Sequence, residues 1–320
     1  MKNNHYLCIF RVLTNILINF LYKTMRKILF TLVGGLALAA SAQQVTVTSN
    51  SRLLKGVEGP AYYPVLNSAG TQLLFASGEK YGLKMYDFAD NVVSRISDAD
   101  GAGIDASFSA NGDVLYVTQK VGDNHLIYRT GMCYDQAAAK SEVVLEAQHG
   151  YVRPELGTRA NGFKGAKKSF APAKGMGTAV CVQGSVLYIT RNGVTKEYTP
   201  VPSFAGYLWA SLSPDGKKVA FFAAGKGIVI TDLEGKVLAM LGKYEAPCWY
   251  NNDYLVAQNA KDDGHQFTSS QIMLLKADGS FKTNLTSETS MSMQPTAAAG
   301  KIVYTTIDGL LYQMTININE

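Results

Sequence analysis

The chain has 320 residues, 47% of them apolar and 17% charged, with a formal net charge of +5. Five of its 30 basic residues, Lys2, Arg11, Lys23, Arg26 and Lys27, lie in the first 42 positions, which contain no Asp or Glu. From Gln43 onward 25 basic residues face 25 acidic ones. The basic character therefore belongs to the N-terminus, and the remainder gives no ground for a nucleic-acid-binding function.

In chain order, residues 1–24 hold apolar patches (YLCIF, LINFLY) ahead of Met25. They are expected to reflect a start assigned too early. Residues 25–42 read as a signal peptide: Arg26-Lys27, the apolar run ILFTLVGGLALAA, then the small residues Ala40-Ser41-Ala42. Cleavage is expected before Gln43, which implies a periplasmic or extracellular protein with no membrane insertion after cleavage. The apolar run is short for a spanning helix. Cys133, Cys181 and Cys248 follow at wide spacing and form neither a disulfide framework nor a zinc pattern. Cys181 and Cys248 sit in apolar runs and read as buried thiols.

Residues 43–320 are expected to form one domain built on a repeat. Around Gly216, in SLSPDGKKVAFFAA, fixed offsets give Leu212, Ser213, Val219 and Phe221. Gly112 gives Phe108, Ser109, Leu115 and Val117 at the same offsets, and Gly70 gives Leu66, Asn67, Leu73 and Phe75. Weaker copies centre on Gly184 and Gly300, and a sixth on Asn251-Asn252-Asp253. Each unit is a hairpin: a turn rich in Pro, Asp, Asn, Ser and Gly between two apolar runs. A third strand recurs (GLKMYDF, GIVITDL, QIMLLKADG), followed by a turn and a fourth apolar run. Four short strands repeating roughly every 32 to 47 residues are the mark of a β-propeller blade.

Six anchors predict an all-β, six-bladed propeller of four-stranded antiparallel blades. The last copy stops after three strands. Val45–Leu54 (VTVTSNSRLL) precedes the first and is expected to supply the missing strand, closing the ring.

The stretch SLSPDGKKVAFFAAGKGIVITDLEGKVLAML resembles the repeat of TolB-type six-bladed propellers, also called PD40 or WD40-like repeats. In that repeat a strand ending in SPDG precedes an apolar strand and then a strand ending in Asp. The resemblance implies an envelope protein-interaction module and a bacterial, Gram-negative setting. The expected function is a non-enzymatic binding scaffold whose partner is an envelope protein or a glycan, with no cofactor.

Two candidate sites stand apart from the repeat. Gly112 and Gly184 are 72 residues apart, against 42 and 32 for the neighbouring intervals. The excess, about 150–175, carries Arg153, Arg159, Lys164, Lys167 and Lys168 with Tyr151, Phe163 and Phe170 interleaved. Such a loop suits an anionic ligand, an acidic glycan or an acidic partner, and equally a solvated insertion. The second is Glu58 in VEGPAYYP, which resembles the calcium-ligating Glu at the start of gluconolactonase-type lactonases. That resemblance carries the alternative function, a calcium-dependent lactonase or another hydrolase or lyase of sugar derivatives using the central channel. The only histidines after Gln43 are His125, His149 and His265, and no H-E-x-x-H or G-x-S-x-G motif occurs.

Overall fold

A computed structural model describes residues 43–78, 81–104, 106–108, 114–119, 124–130, 141–149, 178–192, 194–203 and 205–319. The strands, in chain order, fall into six antiparallel sheets. The chain opens with β1 (Gln44–Arg52). The first sheet is β2 (Tyr62–Leu66), β3 (Gln72–Ala76), β4 (Tyr81–Asp87) and β5 (Val92–Asp100). The second is β6 (Ser107–Phe108), β7 (Val114–Gln119), β8 (Asn124–Thr130) and β9 (Ser141–His149). The third has three strands, β10 (Thr178–Gln183), β11 (Val186–Arg191) and β12 (Val194–Tyr198). The fourth is β13 (Tyr207–Leu212), β14 (Lys218–Ala223), β15 (Gly227–Asp232) and β16 (Val237–Gly242). The fifth is β17 (Glu245–Trp249), β18 (Tyr254–Asp262), β19 (Phe267–Lys276) and β20 (Lys282–Asn284). After a 3₁₀ turn at Glu288–Ser290, the last sheet is β21 (Ser292–Ala298), β22 (Lys301–Thr306) and β23 (Leu311–Asn319), with β1 beside β23.

This is an all-β propeller occupying Val45–Asn317. Middle strands such as β14 and β15 are almost wholly apolar because their sheet is covered on both faces. Ile228, Val229 and Ile230 of β15 are fully buried. Val229 packs with Leu187 and Ile189 of the third sheet, while Ile228 and Ile230 pack with Leu255 and Leu275 of the fifth. Phe108 and Val114 meet Leu74 and Leu83 between the second and first sheets. Val303 and Leu311 of the last sheet meet Leu73 and Phe75 of the first. The first strands of neighbouring sheets approach one another (β13 with β17, β17 with β21, β21 with β2), so these are the inner strands that surround the propeller axis.

The closing strand behaves as the sequence predicts. Leu53 N donates to Leu311 O at 2.8 Å, and Asn50 shares a pair of hydrogen bonds with the Tyr304 hydroxyl at 2.9 and 3.1 Å. The first and last strands thus lie in one sheet, and the edge of β23 is covered.

The hairpin chemistry also repeats. Gly216 and Gly70 have φ of +68° and +64°, where glycine carries no Cβ penalty. Three residues earlier, Ser213 Oγ accepts from Lys217 N and Lys218 N (3.2 and 2.9 Å). Asn67 Oδ1 accepts from Thr71 N and Gln72 N (2.8 and 3.1 Å) in the same way. A short polar side chain satisfies the turn's amides in both copies.

Two expectations need correction. Among the described residues five sheets, not six, have the full four strands. The anchor at Gly184 is also misplaced. Tyr207 N donates to Gly184 O at 2.7 Å, as Ala61 N donates to Gly309 O at 2.8 Å, and Gly309 sits between the second and third strands of its sheet. The pair Val180↔Ile189 likewise packs as Ala220↔Ile230 does one sheet later. Strands β10 to β12 therefore hold the second, third and fourth places of a blade. The sequence misled because any glycine turn between apolar runs fits the template, whichever pair of strands it joins.

Candidate binding site on the inner strands

All four inner strands described at full length carry the same irregularity. Register shifts at Tyr62/Val65, Leu208/Ser211, Glu245/Cys248 and Met293/Thr296. Within these bulges Tyr63, Trp209, Ala246 and Gln294 adopt φ of +53°, +54°, +47° and +52°. Three are followed by proline, Pro64, Pro247 and Pro295, which has no amide proton to give to the ladder. Left-handed backbone at a non-glycine residue costs about 1–3 kcal/mol and persists only where the surroundings enforce it. A bulge also bends a strand and re-aims its side chains.

Part of the enforcement comes from side-chain amides that cross between sheets. Gln258 Oε1 of β18 accepts from Gln294 N at 2.9 Å, and Gln294 Oε1 accepts from Tyr63 N at 2.8 Å. The fifth, last and first sheets are linked in sequence through the bulges. Unpaired buried amides would each cost about 1–3 kcal/mol, so these two glutamines hold the inner strands in their bent form.

The residues beside the bulges are aromatic, aliphatic and amide, with one carboxylate. Trp209 packs on Phe222 (5.4 Å between centroids) and Tyr62 on Tyr63 (6.5 Å), while Leu208 remains 45% exposed. Burial pushes the Glu245 carboxyl up, with a second upward push from Asp262. The hairpin of β18 and β19 continues as a ladder to Asp262↔Phe267 and ends in an exposed tip, where Asp263 Oδ1 accepts from His265 N and Gln266 N at 2.9 Å. Like the Gly309 and Gly184 turns, this hairpin joins second and third strands, which places it at the starting end of the inner strands. An apolar, aromatic surface with a few amides and a projecting arm suits an extended chain or a protein loop.

Of the sequence-predicted site residues, Arg153, Arg159, Lys164, Lys167 and Lys168 lie outside the described residues, as do residues 1–42. Glu58 is exposed in the segment between β1 and β2, two residues before Pro60, which lies against Gly309 at the same starting end. No group of three or more His, Cys, Asp or Glu that would hold a metal ion occurs among the described residues. Cys181 and Cys248 form no disulfide among the described residues, and both are half-buried. Cys248 Sγ accepts from Ala297 N at 3.3 Å, and burial pushes its thiol up, so it acts as a packing group. Sequence reasoning missed Gln258, Gln294, Tyr63 and Trp209. The recurring dipeptides Tyr63-Pro64, Ala246-Pro247 and Gln294-Pro295, each ahead of a hairpin turn, were the available signal.

The class defined by these sheets is the β-propeller. The β-propeller domain of Cps50 (Swd1) from Myceliophteria thermophila is similar over 86% of this chain and all of its own, at 9% identity and a TM-score of 0.50. TolB from Acinetobacter baumannii (19% identity, TM-score 0.49) matches 74% of this chain, and the chain spans 57% of that protein's length. The putative TolB from Agrobacterium tumefaciens matches 87% of this chain and 99% of its own at 13% identity, TM-score 0.49. No protein-family model and no curated protein matches the sequence. At such identities the likeness speaks to fold alone.

Proposed function

We propose that the chain is a six-bladed, TolB-like scaffold of the bacterial envelope that binds a partner protein at the starting end of its inner strands and catalyses no reaction. The observation that carries this reading is the row of bulges at Tyr63, Trp209, Ala246 and Gln294, two of them capped by neighbouring glutamines. Strain held at equivalent places in successive blades, beside half-buried aromatic side chains, is what a preorganised contact surface requires.

Six blades are supported by the third sheet, which lacks only an inner strand among the described residues. In the sequence, Ala171-Pro172 stands six residues ahead of Gly177, as Gln294-Pro295 stands ahead of Gly300. The signal-like residues 25–42 support export. The basic residues Arg153, Arg159, Lys164, Lys167 and Lys168 would add an anionic partner or glycan to the same reading.

Site-specific photo-crosslinkers at Tyr63 and Trp209 are expected to trap one discrete envelope protein in living cells, and a crosslinker at Val92, exposed at the start of the outermost strand β5 and at the opposite end of the first sheet, to trap none. Equal, diffuse adducts from all three positions would sink the proposal. The second reading, a calcium-dependent lactonase using Glu58, draws on that residue's place at the same end. It predicts a rise in melting temperature with Ca²⁺ that a chelator reverses and that Glu58→Gln abolishes.

A further inference from the structure

At the opposite end of the strands, between the fourth and fifth sheets, lies a pocket of about 140 Å³. Ile230 and Ala277 form its floor, Leu238 one wall, and Lys218, Asp253 and Lys276 its rim. Asp278 completes the lining. Ile230 is fully buried, whereas Leu238 stays 50% exposed above it.

The pocket exists because two residues depart from the repeat. The third strand of the first and fourth sheets ends in Asp87-Phe88 and Asp232-Leu233; that of the fifth ends in Lys276-Ala277. Asp87 Oδ1 accepts from Ala89 N (2.9 Å) and Asp232 Oδ1 from Glu234 N (3.0 Å), capping the turns that follow. The following apolar residue fills the wedge between sheets: Phe88 packs into the last–first core and Leu233 into the third–fourth core. At the fifth sheet alanine leaves that wedge open and lysine replaces the capping carboxylate. Asp278, accepting from Ser280 N and Oγ (2.8 and 2.6 Å), takes over the turn.

The charges that result alternate across the opening. Lys218 Nζ pairs with Asp253 Oδ1 at 3.2 Å. The Lys276 ammonium lies 6.0 Å from the Tyr254 ring centroid and has no carboxylate within ion-pair distance among the described residues. We infer that this pocket binds a compact α-amino acid with an aliphatic side chain. Its carboxylate meets Lys276, its ammonium meets Asp253, and its side chain lies on Ile230, Ala277 and Leu238. An opening of about 140 Å³ holds several waters and suits a molecule of this size. A peptide C-terminus offers the same carboxylate and side chain but no free ammonium.

Calorimetric titration of the whole protein with L-leucine, N-acetyl-L-leucine and L-leucinamide tests the assignment. L-leucine is expected to bind in the millimolar range, and each blocked form about tenfold more weakly. Ala277→Phe, which restores the residue the first sheet uses, is expected to fold and to lose binding. Lys276→Met, which keeps the stem, provides a second loss. No heat with L-leucine, equal binding by the two variants, or equal binding by L-leucinamide would overturn the proposal. Equal binding of N-acetyl-L-leucine would overturn the free amino acid in favour of a peptide C-terminus.

Discussion

Two junctions of the propeller solve the same packing problem in opposite ways. Where the last sheet meets the first, Phe88 fills the wedge, Lys301 Nζ stands 4.1 Å from its ring centroid, and the same ammonium donates to Gly70 O at 2.7 Å. Where the fourth meets the fifth, the corresponding Ala277 leaves a gap, and Lys218 reaches only an exposed carboxylate at 3.2 Å and the Trp249 ring at 5.9 Å. The core strands of the first junction are more than 200 residues apart. The short link at residues 53–61 reaches the last sheet only through β1, which hydrogen bonds hold to β23, so this junction depends more on non-covalent contacts. The second follows a short link from Gly242 to Glu245 and tolerates an opening. Chain continuity and side-chain packing substitute for one another around the ring.

The comparison can be broken most severely at the closing strand. Removing residues 43–52 uncovers the edge of β23 and is expected to cost about 3 kcal/mol or more of the 5–15 kcal/mol typical of a domain. Chemical denaturation should record the loss, and size-exclusion chromatography should show edge-driven oligomers. Phe88→Ala, which makes the closed junction resemble the open one, is expected to cost about 2–3 kcal/mol by removing half-buried ring packing. If the cost were near zero, the wedge residue would not hold the closure.

The two lysines sharpen the contrast. Lys301→Met loses a cation over a ring and a hydrogen bond to a carbonyl, together about 1–2 kcal/mol. Lys218→Met loses a partly exposed ion pair and a distant ring, about 0.5 kcal/mol. Equal losses would erase the distinction between the junctions.

The smallest effect concerns Asp278 at the rim of the open junction. Hydrogen bonds from the Ser280 hydroxyl and amide, with a lesser pull from Lys276, hold its carboxyl below the usual range. A lowered folded value contributes stability that is present above the unfolded value and lost as pH falls through the folded one. The melting-temperature gap between the native protein and Asp278→Asn should therefore shrink as pH is lowered from about 6 to about 3. A gap that stays constant would mean the carboxylate charge is irrelevant there.

Most strands and the ring closure were legible because they depend on local signals. Strands β14 and β15 read as apolar runs since both their faces are covered, and Ser213 and Asn67 mark turns through bonds to amides four and five residues on. The place of the third sheet was not legible, because Val180 and Ile189 look the same in a first hairpin as in a second. The binding surface was hidden for a different reason. Gln258 and Gln294 are unremarkable polar residues until the fold sets them beside the bulge of the next blade, 36 and 231 residues away.

What the sequence determined by itself was the alternation of strands and turns, the repeat, and the complementary ends, since all follow from side-chain period and turn chemistry within a few residues. What only the tertiary structure decided was which strands lie innermost, where the backbone is bent, and which wedge stays open. Those depend on contacts between blades, and no local pattern encodes the neighbour that a blade will meet.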